Sequence, residues 1–158
     1  MSVAAAALAL SRPFPFDGEE LELHPLTFED LARFSLWMEE RARRAAIRSV
    51  NAGEDAKAIY SAFLANVAAC VYEPGSEHFD AAARSPAGSR KILALMLREG
   101  GTEDMSWRVY ADEEKFAEVT ALMQQVNSDP KARALRRTPT PAKPKTPTQA
   151  PPGSDLNP

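Results

Sequence analysis

At 158 residues, 44 % hydrophobic and 26 % charged, the chain has the size and make-up of one folded domain with an appended segment. No apolar run nears the roughly 20 residues of a membrane-spanning helix, and the Ala/Leu stretch from Val3 to Leu10 has only Met1 and Ser2 before it, without the Lys or Arg of a secretory leader. The single cysteine, Cys70, leaves no internal disulfide and no thiolate zinc cage, so a soluble protein of the cytoplasm with no membrane partner is expected.

The formal net charge of −3 is unevenly divided. Residues 1–130 carry 13 Lys/Arg against 21 Asp/Glu, a net of −8, whereas 131–158 carry 6 against 1, a net of +5. Seven of the 13 prolines fall in 139–158, where Leu156 is the one large apolar residue. Proline fixes φ and lacks an amide donor, and so little apolar area cannot offset the entropy of ordering. The expected organisation is a flexible N-terminus (1–12), a helical domain with an N-terminal hairpin (13–130) and a basic, Pro-rich disordered tail (131–158), extended over 138–158, whose basic start, Lys131, Arg133, Arg136 and Arg137, either continues a helix or leaves it.

Phe14 and Phe16 alternate before Asp17-Gly18, and Leu21 and Leu23 alternate after it, which predicts a β-hairpin with a tight primed turn and one buried face. Thr27 then caps a long helix through the amide of Asp30, with Pro25 and Leu26 placed for a hydrophobic staple. Phe28, Leu31, Phe34, Ser35, Met38, Ala42, Ala45 and Ala46 gather on its expected core face, and the helix should stop near Ser49–Asn51. A second helix, from after Gly53 to about Tyr72, has the cleanest apolar stripe in the chain: Ala56, Ile59, Tyr60, Phe63, Leu64, Val67, Ala68 and Val71. Residues 76–84 read as an ambiguous turn of helix.

Ser85-Pro86 is a cap followed by proline at the first helical position. Ile92, Leu93, Leu95, Met96 and Leu97 make the helix that follows apolar almost all round, so it should lie centrally and end at Gly100-Gly101. A short helix carrying Trp107 and a last one capped by Asp112 complete the domain. With no strand series, repeat or βαβ alternation beyond the hairpin, the fold class is mainly α, four or five helices around residues 92–97.

The residue pattern offers little chemistry. Glu77, His78 and Asp80, with His24 and Cys70 elsewhere, have no zinc-ligand spacing. His24 is expected to end a strand. Cys70, at the edge of the second helix's stripe, is expected to be buried as a small hydrophobe. There is no glycine-rich phosphate loop, and Glu39-Glu40 and Glu113-Glu114 diverge on a helix, so neither an enzyme nor a cofactor is expected. One surface feature remains. Trp37, Arg41, Arg44 and Arg48 follow i, i+4, i+7, i+11 spacing beside Met38, a ridge suited to partner binding. The intramolecular alternative puts Trp37 under the hairpin with Arg41 on its ring.

The segment FDGEELELHPLTFEDLARFSLWMEE (16–40) resembles a motif of small tailed-phage and prophage proteins similar to tail assembly chaperones, in Gly18, Glu19, Glu20, Leu21, Leu23, Pro25, Leu26, Thr27, Asp30 and Leu31. SPAGSRKILALMLREGG and DEEKFAEVTALMQQVNSDP resemble their serine-started apolar helix and closing helix, so the likeness covers residues 14–130. The Ala-rich start and the Pro/Lys tail depart from it. The resemblance implies a non-enzymatic, all-α binding protein of the host cytoplasm that keeps the tape measure protein soluble during tail assembly, without cofactors. Met38, Met96, Met105 and Met123 could line an adaptable apolar groove for such a partner. The competing expectation is a nucleic-acid-associated packaging or regulatory protein that uses the Trp37/arginine ridge and the basic segment 131–145; a third is a structural component of the finished particle.

Overall fold

The computed structural model describes residues 3–98 and 103–137. Among these residues the chain is mainly helical, with helices α1 (Val3–Leu8), α2 (Phe28–Asn51), α3 (Ala56–Ala68), α4 (Glu77–Arg84), α5 (Pro86–Leu97), α6 (Glu103–Ala111), α7 (Glu113–Ser128) and α8 (Pro130–Leu135). The one sheet is the antiparallel pair β1 (Arg12–Phe16) and β2 (Glu19–Leu23).

The hairpin takes the expected register, Phe16 opposite Glu19 and Phe14 opposite Leu21. Asp17 and Gly18 both have positive φ (53° and 80°), the two-residue primed turn that Asp-Gly favours. Counting out from that turn, Pro13 and Pro15 fall on the pairs whose amides point away from the partner strand, so neither proline costs a ladder hydrogen bond. Phe14, Phe16, Leu21 and Leu23 are buried against α5 and α7. Arg108 of α6 holds the turn by an ion pair to Asp17.

α2 begins in a complete capping box. The Thr27 hydroxyl accepts from the Asp30 amide, and the Asp30 carboxylate accepts from both the Thr27 amide (2.9 Å) and the Thr27 hydroxyl (2.8 Å). Leu26 and Leu31, one residue before the cap and four after it, share one core cluster and form the staple. The entry is tied to the far end of the domain by Asn127, whose side-chain oxygen accepts from the Leu26 amide and whose NH₂ donates to the Met123 carbonyl.

α5 is central: it lies against β2, α2, α4 and α6, and Gly88, Leu93, Ala94, Met96 and Leu97 are buried. Ser85 serves two helices, its hydroxyl donating to the Ala82 carbonyl at the end of α4 and accepting from the Gly88 amide at the start of α5. The corner is tight. A Cβ on Gly88 would stand 1.9 Å from the Ala82 carbonyl oxygen. Two core clusters result, one under the hairpin and one around Phe34, Met38, Tyr72 and Phe79; Leu31, Ile92 and Leu95 pack against both.

Several expectations need correction. Part of the N-terminus expected to be flexible (1–12) forms α1, whose Ala7 is fully buried, and α1 rests on α8. The domain boundary drawn at 130 falls inside folded structure: of the two courses open to the basic segment after it, the chain continues as a helix, α8, where Asp129 caps, Pro130 sits in the first turn and Ala132 is buried. The remainder of the expected tail, 138–158, lies outside the described residues, as do Gly100 and Gly101. Residues 77–84, ambiguous in sequence, form a helix because Ser76 caps the Phe79 amide.

The second helix stops at Ala68, short of Tyr72. Cys70 takes a left-handed φ of 54° and the chain turns there, leaving the thiol exposed instead of buried. The clean stripe of α3 is also mostly in the open: no residue of α3 is buried, and Tyr60 and Leu64 are 42 % and 62 % exposed. Only Ile59, Phe63 and Val67, one turn apart, are half-buried. On α2, Phe28 and Ala45 of the expected core face are exposed as well.

Candidate functional site

The α2 ridge borders a groove of about 510 Å³. Trp37, Met38, Arg41, Arg44 and Arg48 form one wall, with Ala42 and Ala45 between them. Tyr72, His78, Ala82, Ser85 and Ala87, from the turn after α3 through α4 to the start of α5, form the other. All five residues singled out on α2 therefore face a single concavity, because residues spaced i, i+4, i+7 and i+11 keep one azimuth along a straight helix.

Trp37 is half-buried and belongs to the second core cluster, away from the hairpin. Its ring stacks on Phe34 at 5.2 Å, and Phe34 meets Phe79 edge-on at 5.0 Å. The Arg41 guanidinium lies 4.9 Å from the Trp37 ring centre. The indole thus has a fixed back and a cation on its outer side, a rigid mount for a large apolar surface. Across the groove, Tyr72 and His78 meet edge-on at 5.9 Å, and Tyr72 is fixed by its carbonyl, which accepts from the Ser35 hydroxyl.

The cations differ in freedom. Glu40 binds Arg43 (2.6 Å) and Arg44 (2.7 Å), and these two guanidiniums, Arg44 foremost, hold the Glu40 carboxyl below its ordinary range. Arg44 is thereby anchored. Arg48 is exposed one turn further on. Among the described residues no carboxylate lines the groove, although the chain through residue 130 carries a net −8.

Trp37, Arg41 and Ala87 also border a smaller cleft completed by Arg90 and Lys91 of α5 and Ser106 of α6. Arg90 stacks over Trp107 at 4.2 Å and lies 5.6 Å from Tyr110. Sequence reasoning did not assign Arg90 and Lys91 a role. The available signal was two adjacent cations on a helix with no other charged residue.

The candidate metal and nucleophile residues do not converge. His24 leaves β2, is buried, and donates its amide to the Met96 carbonyl at 2.9 Å, whereas His78 stands on the groove wall. Burial first, and then the Arg98 charge, lower the His24 pKa from its ordinary value. Glu77, Asp80 and Cys70 are exposed at separate points. Among the described residues no three His, Cys, Asp or Glu side chains are placed to hold an ion, and no helix is long and apolar enough to cross a membrane. Comparison with known protein families, curated proteins and solved structures finds no match to the chain.

Proposed function

We propose that the chain is a non-enzymatic binding protein of phage or prophage morphogenesis, acting as a tail assembly chaperone that holds a helical segment of the tape measure protein in the groove between α2 and α4–α5. The observation that carries this reading is the make-up of that groove: Trp37, Tyr72 and Met38 line it together with four alanines and three arginines, and no carboxylate is among the described residues that line it. Small side chains let a second helix approach closely. Trp37, Met38 and Tyr72 give its apolar face somewhere to bury, and Arg41, Arg44 and Arg48, at turn-like spacing, match acidic residues flanking that face.

The test is co-purification of the tagged chain with the long helical product of a neighbouring reading frame, at about 0.1 M and 1 M salt. Wild type should retain the partner at both, because apolar burial survives screening, while Trp37→Ala should retain about tenfold less. Equal capture by Trp37→Ala would remove the groove from the reading.

With no carboxylate among the described residues that line it, the groove also favours a second reading, nucleic-acid binding along Arg41, Arg44 and Arg48 for packaging or regulation. Phosphate contacts release counterions, so that binding should fall steeply with salt, and each of Arg41→Ala and Arg48→Ala should flatten the slope. The net −8 of residues 1–130 opposes a polyanion everywhere else, which is why helix capture leads.

A further inference from the structure

The side of α2 turned away from the core carries a stripe that the groove does not use. Leu36, Glu40, Arg43 and Ile47 follow i, i+4, i+7, i+11 spacing, which holds them within about 60° of one azimuth, nearly opposite the buried Phe34 and Met38 and about 100° from the Trp37 ridge. Leu36 and Ile47 are 65 % and 38 % exposed, and the Arg43 side chain is 56 % exposed. We propose that this stripe is a self-association surface, on which α2 of a second copy of the chain packs antiparallel about a two-fold axis that passes between Glu40 and Arg43.

The order of the stripe is what selects a second copy. A two-fold axis brings identical surfaces together, so a helix face meets itself well only if its residues complement one another in reverse order. Here they read apolar, acid, base, apolar, at intervals of four, three and four. Reversal about the midpoint therefore sets Leu36 of each copy against Ile47 of the other, and each Glu40 against the other's Arg43. The same register places Glu39 opposite Arg44, again unlike charges. It makes a like-charged pair only where Glu29 meets Glu54, beyond the stripe, and there Arg33 already binds Glu29 at 2.6 Å. Within one chain Arg43 binds Glu40 through Nε and Nη2, which leaves its Nη1 group for the Glu40 of the second copy. An unrelated helix would require no such symmetry. Because the stripe lies off the groove, the proposal stands apart from the groove's occupant.

Sedimentation equilibrium of the full chain tests it, in reducing buffer so that the exposed Cys70 forms no disulfide. A contact between two single helices is small and the pair transient, so the mass is followed from about 5 to 500 μM. Wild type should rise from 17.2 kDa toward twice that mass. Leu36→Glu should weaken association about tenfold or more. Glu40→Arg alone and Arg43→Glu alone each set like charges across the axis and should stay at the mass of one chain. Their equimolar mixture pairs unlike charges at both contacts and should associate as wild type does, which also shows that both variants are folded. A wild-type mass constant across the range, association unaltered by Leu36→Glu, or a mixture that behaves like its separate components would each overturn the proposal. So would a co-purifying partner lost in Leu36→Glu while wild type stays monomeric, since the stripe would then belong to that partner.

Discussion

Gly88 shows how a single backbone position sets the placement of a helix. With the Ala82 carbonyl oxygen 1.9 Å from any added Cβ, Gly88→Ala must push the start of α5 away from the end of α4. The loss should be about 1–3 kcal/mol by denaturant unfolding, against the small gain that alanine brings to an ordinary helix position. Nothing in the local sequence announces this, since the pressure comes from a chain segment on the other side of Ser85. His24 carries a second residue-scale expectation. Its folded pKa lies below the ordinary 6.5, so under acid the unfolded chain takes up a proton that the folded chain refuses. Stability is unaffected well above pH 6.5 and falls as pH drops through that value toward the lowered folded pKa. Replacing His24 with Gln should flatten the stability profile just below pH 6.5, and an unchanged slope there would show that His24 is not the group titrating.

At the scale of elements, legibility followed how local the determining interactions are. Asp17-Gly18 and Thr27-Asp30 specify the primed turn and the capping box within four residues, and both formed as read. The α3 stripe is different. Its 3.6-residue period correctly marks a helix, but period cannot say how much of a stripe finds a partner, and only the Ile59/Phe63/Val67 line reaches another element. Phe63 packs against the cluster around Phe34, whereas its neighbour Leu64 points to solvent. Phe63→Ala should therefore cost about 2 kcal/mol in chemical denaturation, and Leu64→Ala should stay within about 0.5 kcal/mol. Equal losses would mean that α3 is turned differently about its axis.

The whole molecule is closed by parts that sequence reading set outside the domain. α8 buries Ala132, supports α1, and places Arg136 so that its guanidinium donates to the Asn127 carbonyl at 2.8 Å. A chain ending at Asp129 should be less stable than one ending at Arg137 by about 2–4 kcal/mol, read from denaturant midpoints. A difference near zero would return α8 to the tail. The same distinction governs the site. The α2 wall was readable because four positions on one helix define a line, whereas Arg90 and Trp107 meet only through the packing of α5 on α6, which no single-helix periodicity encodes. The turn that ends α3 has a practical consequence: the chain's one sulfhydryl stands in the open at Cys70, two positions before Tyr72 on the groove wall. A maleimide dye attached there labels one known point on every copy, so occupancy of the groove can be followed by its emission without altering any residue that lines it.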